Sequence, residues 1–271
     1  MPDIRTPVVA GQFYPASAQS LKEDIASLID NKAEKKDCLA CMLPHAGYVY
    51  SGKVAAETVS HVRIKDNVLL LGPNHTGRGA DFSIMTKGSW QTPLGKVEIN
   101  STLAQDILQS SKHLKSDSVA HAQEHSLEVE LPFLQYFKTD FKIIPIAFMS
   151  QDIAALKETG REIADVILRK NIKKETLIIA SSDMTHYEPQ NIAQKKDQQA
   201  IQAIIELNED KLVEKVGEFE ISMCGIYPAI VMLSAVRALG AKNAKLIKYQ
   251  TSADATGDKN SVVGYAGIII Y

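Results

Sequence analysis

The sequence predicts an α/β fold, a single three-layer α/β/α domain over residues 1–271 with a mostly parallel central sheet. Short apolar runs alternate with amphipathic stretches along the chain, as in folds whose parallel strands are joined by crossover helices. No linker, internal repeat or low-complexity tract divides the 271 residues. The composition, 45% hydrophobic and 23% charged, is typical of a globular protein and argues against disorder.

The apolar runs predict seven strands, each short, rich in Leu or β-branched residues, and bounded by Gly, Pro, Asn or Ser. In chain order they are Cys38–Leu43, Asn67–Leu71, Phe82–Thr86, Phe141–Phe148, Leu177–Ser181, Ala244–Gln250 and Val262–Ile270. Eight helices are predicted between them. They are Ser17–Asp30, Ser51–Val62, Ser101–Ser111, Glu124–Phe137, Asp152–Lys170, Ile192–Leu207, Asp210–Val216 and Ile226–Leu239. The polar segment Ser252–Asn260 predicts a surface loop.

The charge balance excludes some classes of protein. Lys and Arg number 30 against 32 Asp and Glu, a net charge of −2, which argues against a dedicated nucleic-acid binder. No apolar run reaches the ~18 residues of a spanning helix, and the segment 1–5 lacks the apolar core of a signal peptide. We therefore expect no membrane partner and a cytoplasmic location.

The cysteine content points the same way. The chain has three cysteines, Cys38, Cys41 and Cys224. A small and odd number does not indicate a disulfide framework, and the absence of such a framework is typical of a protein from a reducing compartment. Cys38 and Cys41 form a C-x-x-C pattern inside a predicted strand. Side chains at i and i+3 of a strand point to opposite faces, about 10 Å apart, so we interpret both as core residues.

Side chains that can bind a metal or transfer a proton follow several predicted strands. Ligands of open α/β sheets bind beyond the carboxyl ends of the strands, where these side chains would lie. His45 and His75 each follow a strand and lie 30 residues apart, about one βαβ unit, which predicts imidazoles at the tips of neighbouring strands. Asp183 and His186 follow a third strand, and Cys224 precedes the helix Ile226–Leu239.

Two imidazoles and one anion form a minimal site for a transition metal with open positions. The anion is either the Cys224 thiolate, which the adjacent helix N-terminus would favour, or the Asp183 carboxylate. Asp183 alternatively caps a helix. His186 is a candidate general acid and base beside a bound substrate.

The segment His121–His125 matches the H-x-x-E-H pattern of inverted zinc peptidases, in which both histidines share one face of a helix. The alternative is a polar loop running into an amphipathic helix, whose glutamates 124, 128 and 130 face solvent while its leucines face the core. His125 can still reach the strand-end site, because loops before helices line the same edge of the sheet.

Tyr48, Tyr50 and Tyr187 lie in or near Gly- and Pro-containing loops. They either line a pocket for an aromatic or phosphorylated ligand or only pack their rings and solvate their hydroxyl groups. The first alternative gives a second hypothesis, a non-catalytic binding module for a phosphorylated or aromatic peptide.

The motifs together resemble the Memo-like family across nearly the whole chain. The matching segments are RTPVVAGQFYP (5–15), PHAGYVYSG (44–52), GPNH (72–75), TPLG (92–95), EHSLEVELPF (124–133), SSDMTHY (181–187) and CG (224–225). The resemblance implies a fold similar to that of the class III extradiol ring-cleavage dioxygenases, which hold Fe(II) by two histidines and a glutamate.

Carried over by motif, the resemblance assigns His45 and His75 to the metal, with Cys224 where the glutamate is expected. His186 matches the acid–base histidine, and Asp183 lies close to the metal as an extra ligand or an orienting residue. The same segments supply the expected substrate-binding residues, which are Tyr48, Tyr50, Asn74, His125 and Tyr187.

The resemblance implies Fe(II) as cofactor, with Cu or Zn as alternatives, and dioxygenase-like or redox chemistry. A thiolate in place of a carboxylate shifts metal preference toward Cu(I), Zn or a covalent Fe–S bond and is itself oxidisable, which argues against ring cleavage. The implied partners are a small molecule or peptide, a phosphotyrosine segment of a growth-factor receptor for animal members, and a radical-SAM system for prokaryotic members.

Overall fold

A computed structural model describes residues 4–271 of the chain. Its strands, in chain order from β1 to β12, are Ile4–Arg5, Ala40–Leu43, Asn67–Pro73, Phe82–Ile84, Ser89–Thr92, Gly95–Ile99, Lys115–Ser116, Lys142–Phe148, Thr176–Ser181, His186–Glu188, Ala244–Thr251 and Val262–Ile270. Its α-helices, from α1 to α10, are Ala18–Leu28, Tyr48–Ser60, Ser101–Ser110, Val119–Ala122, Leu131–Phe137, Ile153–Arg169, Gln190–Ile205, Glu209–Glu218, Ile226–Ala238 and Ala253–Thr256. All seven predicted strands are confirmed, with ends that differ by at most two residues.

The centre of the sheet is parallel, in the order β6-β8-β3-β9-β2. Antiparallel β12 continues the sheet beyond β2 and also pairs with β11. The strands β3 and β9 are buried along almost their whole length, because helices cover both faces of the sheet. The predicted α/β fold with a mostly parallel sheet is confirmed.

Two groups of helices cover the sheet. Helix α9 packs on β2, β3, β8 and β9 and is covered by α6 and α8, whereas α2 packs on β2, β11 and β12 beside α1 and α5. Helices α6 and α9 approach closely at Gly160, where an added Cβ would lie 2.5 Å from the Val231 carbonyl oxygen. Glycine at this position therefore sets the spacing of the outer helical layer.

The predicted helix Glu124–Phe137 is wrong in its first half. The observed α5 begins at Leu131, with Pro132 in its first turn, while residues 124–125 are irregular and residues 126–130 form turns. Glu124, Glu128 and Glu130 are buried rather than solvent-facing. Each carboxyl group has polar partners on other segments, which a helix facing solvent could not supply.

Short elements account for the other differences. The sequence did not predict the strands β1, β5, β6, β7 and β10 or the single-turn helices α4 and α10, and α10 lies inside the predicted loop Ser252–Asn260. Cys38 and Cys41 are fully buried free thiols, which confirms them as core residues. Among the described helices, none combines the length and apolar character that a membrane crossing requires.

Candidate metal centre

Three adjacent parallel strands deliver side chains to one edge of the sheet. His45 lies two residues beyond β2, His75 two residues beyond β3, and Asp183 two residues beyond β9. Strand β9 lies between the other two, so the prediction that His45 and His75 sit on neighbouring strands is wrong. The His45 and His75 rings nevertheless lie close together, with their centroids 5.3 Å apart.

A third imidazole completes a histidine cluster. One ring nitrogen from each of His45, His75 and His125 lies within 4.8 Å of the other two. The His125 ring stacks on that of His75, with centroids 4.9 Å apart and an interplanar angle of 19°. His125 comes from the turns before α5, so the helix-preceding loop reaches the strand-end site.

His45 is buried and held through its Nδ1. This atom lies 2.8 Å from the Ser181 hydroxyl, while the backbone N–H of His45 donates to Asp183 Oδ1 at 2.9 Å. Burial and the neighbouring imidazoles lower the pKa of His45 well below its ordinary value, so the ring is neutral. Its Nε2 lies 3.3 Å from Cys224 Sγ.

His75 is oriented by the buried carboxylate of Glu124. The backbone N–H of His75 donates to one Glu124 oxygen, and its Nδ1 lies 2.9 Å from the other. Burial alone would raise the pKa of Glu124, but the hydrogen bond and charge of His75 outweigh it and lower that pKa to about 2. An ionised carboxylate on Nδ1 leaves the Nε2 of His75 as the ligand atom, an arrangement common around metal-binding histidines.

Cys224 and Asp183 also lie beside His45, but Cys224, which was predicted as the third ligand, is outside the cluster of three imidazole nitrogens. The Asp183 backbone N–H approaches Cys224 Sγ at 3.3 Å, and Gly225 packs against Ser181 and Ser182 with no room for a Cβ. Burial, followed by the charge of Asp183, raises the pKa of the Cys224 thiol. Burial also raises the pKa of Asp183 to about 7. Burial therefore favours the neutral form of the Cys224 thiol.

A cavity of about 330 Å³ opens over the three imidazoles. The residues lining it are Gln12, Phe13, His45, Ala46, Gly47, Val49, Tyr50, His75, His125, Asp183, His186, Tyr187, Val263 and Tyr265. Its wall is mostly aromatic and apolar, with titratable groups at the base, as in small-molecule sites. The predicted residues Tyr50, Tyr187, His125 and His186 all lie on it.

Two predicted substrate-binding residues lie outside this cavity lining. Tyr48 is buried, stacks on Phe133 at 4.2 Å, and donates its hydroxyl hydrogen to the Val129 carbonyl oxygen. Asn74 uses its amide to donate to the Arg78 carbonyl oxygen and accepts from Thr76, which orders the loop that follows β3.

His186 donates from Nδ1 to the Ser222 carbonyl oxygen at 2.9 Å, which leaves its Nε2 without a partner among the described residues. A nitrogen of this kind at a cavity wall is able to take up or release a proton. Tyr187 follows with φ of 61°, and its ring is 78% exposed at the cavity mouth.

His121 is separate from this centre. It is buried against Trp90 and lies 3.2 Å from the Ser83 hydroxyl, and it is not part of the histidine cluster. The segment His121–His125 is divided between a single-turn helix and the following turn, so the two histidines do not share a helical face. The geometry that the zinc-peptidase hypothesis requires is therefore not present.

A family model described as Memo-like protein matches residues 5–269. The chain belongs to the Memo-like family. Curated relatives named MEMO1 family protein occur in Methanopyrus kandleri (42% identity, 98% of both chains covered), Methanocaldococcus jannaschii (42%, 100% of both) and Aquifex aeolicus (41%, 98% of both).

A solved structure of an uncharacterized protein from Escherichia coli K12 has the same fold. It superposes on this Memo-like chain with a TM-score of 0.55 over 85% of this chain and 98% of the other, at 12% identity. At this identity the likeness concerns the fold alone.

Sequence reasoning missed several residues of this Memo-like site. Glu124 and Ser181, which hold the two strand-end histidines, were not predicted to do so. Phe13, whose ring lies 5.0 Å from that of His125, forms part of the cavity wall. The adjacency of Glu124 and His125 was a usable signal, but it pointed to a helical peptidase motif.

Proposed function

We propose that this protein binds one transition-metal ion at the base of the cavity and supports metal-dependent oxidoreductase chemistry on a small molecule. The observation that carries the proposal is the cluster of His45, His75 and His125, with one nitrogen of each within 4.8 Å of the others. The Nδ1 atoms of His45 and His75 already have protein partners, so both rings offer Nε2 to a common point. Oriented imidazoles are suitable ligands for Fe(II), Cu or Zn.

Cys224 is a second candidate for the third ligand, although its Sγ lies outside the cluster of three imidazole nitrogens. Tetrahedral coordination at the usual Zn–N and Zn–S bond lengths separates nitrogen from sulfur by ~3.5 Å. The His45 Nε2 to Cys224 Sγ distance is 3.3 Å, which accommodates one ion between them. His45 and His75 are the proposed constant ligands, and Cys224 and His125 are rival third ligands that the experiment below separates.

The other cavity residues supply the remaining functions. A bound metal would provide a Lewis-acidic and redox-active centre with open positions. His186 holds or releases a proton at Nε2, and Asp183 orients the centre through its bond from the His45 backbone. Phe13, Tyr50 and Tyr265 exclude water and offer faces for an aromatic substrate. Fe(II) is the proposed cofactor on the strength of the resemblance to the Memo-like family, and imidazole ligands also suit the alternatives Cu and Zn.

Location and partners complete the proposal. The free thiols of Cys38, Cys41 and Cys224 favour a reducing, cytoplasmic location. A small molecule is the proposed ligand, since 330 Å³ lies at the lower end of small-molecule site volumes. A peptide side chain remains the alternative, favoured by the exposed Val49 and Tyr187 at the mouth.

Metal titration of purified protein tests the proposal. Anaerobic Fe(II) binding is measured for the wild type, for the double variant His45→Ala/His75→Ala, and for His125→Ala and Cys224→Ser. We expect one ion per chain in the wild type and loss of at least a hundredfold in affinity in the double variant, because two ligands are removed.

His61→Ala is the matched control, since His61 lies outside the cluster and the cavity lining. Whichever of the His125 and Cys224 variants loses more affinity identifies the third ligand. Equal metal retention by the wild type and the double variant would contradict the proposal. Phosphotyrosine and tyrosine peptides added to metal-free protein test the peptide alternative by calorimetry.

A further inference from the structure

Glu130 is a buried acidic residue that the proposed chemistry does not use. Its side chain is inaccessible to solvent, Oε1 lies 2.7 Å from the Ser181 hydroxyl, and Oε2 has no partner among the described residues. An ionised carboxylate with a single hydrogen bond in such a site would be costly, because buried charges are normally paired. A neutral acid with one unpaired carbonyl oxygen costs much less.

The Ser181 hydroxyl has three neighbours but only one hydrogen. Its oxygen lies 2.8 Å from the Ser126 carbonyl oxygen, 2.8 Å from His45 Nδ1 and 2.7 Å from Glu130 Oε1. A carbonyl oxygen can only accept, so the Ser181 hydrogen points at Ser126. The other two neighbours then face lone pairs of the Ser181 oxygen and must both carry hydrogens.

We propose that Glu130 is a protonated, hydrogen-donating residue that positions the metal ligand His45 through Ser181. The chain of donation runs from the Glu130 hydroxyl to Ser181 Oγ, and from Ser181 to the Ser126 carbonyl oxygen. His45 donates its Nδ1 hydrogen to the same Ser181 oxygen, which places the ring lone pair on Nε2. Glu130 is a positioning residue, since it touches neither the cavity nor the imidazole.

The two glutamates behind the centre differ in charge. Glu124 binds His75 directly as a carboxylate, whereas Glu130 acts on His45 through a hydroxyl bridge. Burial raises the pKa of Glu130 well above its ordinary value, which agrees with the protonated state that the geometry around Ser181 requires. The site therefore receives one negative charge from this pair, which leaves a bound cation attractive to further anionic ligands.

Infrared spectroscopy tests the protonation of Glu130 without any metal. We expect the wild type at neutral pH to show the carbonyl stretch of a protonated carboxyl group that shifts in deuterated solvent. The Glu130 component of this band should be lost in Glu130→Gln and kept in Glu218→Gln, a control at an exposed carboxylate, whereas Asp183 contributes equally to the band in all three proteins. Nitrogen chemical shifts of ¹⁵N-histidine-labelled protein should show His45 protonated at Nδ1. A band that is the same in the wild type and in Glu130→Gln, or an Nε2-protonated ring, overturns the proposal.

Metal affinity tests the positioning role, and this part rests on the proposed function. We expect Co(II) affinity to change less than twofold in Glu130→Gln, because an amide also donates, and to fall about tenfold in Glu130→Met, as typical for partners of metal ligands. In a Ser181→Ala background the Glu130→Met change should cost nothing further. Full affinity in Glu130→Met, or equal losses in both Glu130 variants, overturns the role.

These measurements separate the two proposals. Circular dichroism and a urea titration establish that each variant is folded before its affinity is interpreted. If wild-type protein binds no Co(II), the proposed function fails, while the infrared and NMR results still decide the state of Glu130. If Co(II) binds and the Glu130 component of the carboxyl band is missing, only the Glu130 proposal fails.

Discussion

Glu124, Glu128 and Glu130 lie within seven residues of one another and are all buried, yet each has a different partner. Glu124 orients His75 through its carboxylate. Glu128 accepts a hydrogen bond of 2.7 Å from the Arg5 guanidinium. Glu130 is hydrogen-bonded to the Ser181 hydroxyl. The cost of burying a carboxyl group depends on the donors it finds, which is why three identical side chains differ in charge and role.

His121 carries a pH dependence of stability at the residue scale. Burial and the nearby charge of Arg5 lower its pKa to about 4, so the folded protein holds it neutral while the unfolded chain protonates near pH 6.5. The unfolded state therefore binds more protons between these values, and stability falls as pH decreases from 6.5 to 4. The expected loss is about 3 kcal/mol at pH 4.

Urea unfolding of wild type and His121→Gln across this range checks the prediction. The variant should lose about 3 kcal/mol less than the wild type between pH 6.5 and 4, because Gln does not titrate. Other groups titrate in both proteins, so the difference isolates His121. Parallel pH profiles would show that this ring is not held neutral by the fold.

At the scale of elements, the N-terminal segment 4–15 is tied down by one carboxylate. Glu128 accepts from the backbone N–H groups of Val8 and Val9, from the Tyr14 hydroxyl and from Arg5. Arg5 also donates to the carbonyl oxygens of residues 121 and 124. This anchoring brings Phe13 to the cavity wall beside His125.

Removal of that carboxylate should release the segment. We expect Glu128→Ala to destabilise the protein by about 3–5 kcal/mol, because it leaves a buried guanidinium without its partner. Tyr14→Phe, which removes one donor, should cost about 1 kcal/mol. Denaturant midpoints measure both changes, and Glu218→Ala, at an exposed ion pair, should change stability by less than about 1 kcal/mol. A Glu128→Ala protein as stable as this control would refute the anchoring role.

The strands and the segment 124–130 show which parts of the structure can be predicted from the sequence. The strands β2, β3 and β9 were predictable because their apolar runs are local signals, and the rule for strand ends then located His45, His75 and Asp183. The segment 124–130 was not predictable, since the partners of its carboxyl groups lie 49 to 123 residues away in the chain. Periodicity describes an element's own faces and carries no information about such partners.

At the scale of the whole molecule, we expect local unfolding to be least favourable in the strands that support the candidate metal centre. Strands β3 and β9 are buried apolar runs at the middle of the sheet, whereas β7 is an exposed two-residue strand at its margin. Amide protection follows burial and the number of flanking strands. The base of the cavity is therefore expected to be the most rigid part of the chain.

Hydrogen–deuterium exchange tests this distribution. The amides of β3 and β9 should exchange slowest, at rates set by global unfolding, and those of β7 and α10 should exchange within the earliest time points. Fast exchange in β9 would contradict the prediction, because it would show that the strand between those preceding His45 and His75 unfolds locally. The prediction concerns the metal-free protein and stands whether or not an ion binds.

The proximity of His45 and Cys224 has a mechanical consequence, because these residues are separated by 179 positions in the chain. An ion shared between them would act as a removable clip between an early and a late part of the polypeptide. Such a clip restricts the unfolded chain far more than a local one, and its contribution grows with the free ion concentration. Metal supply would then set how long the folded molecule survives.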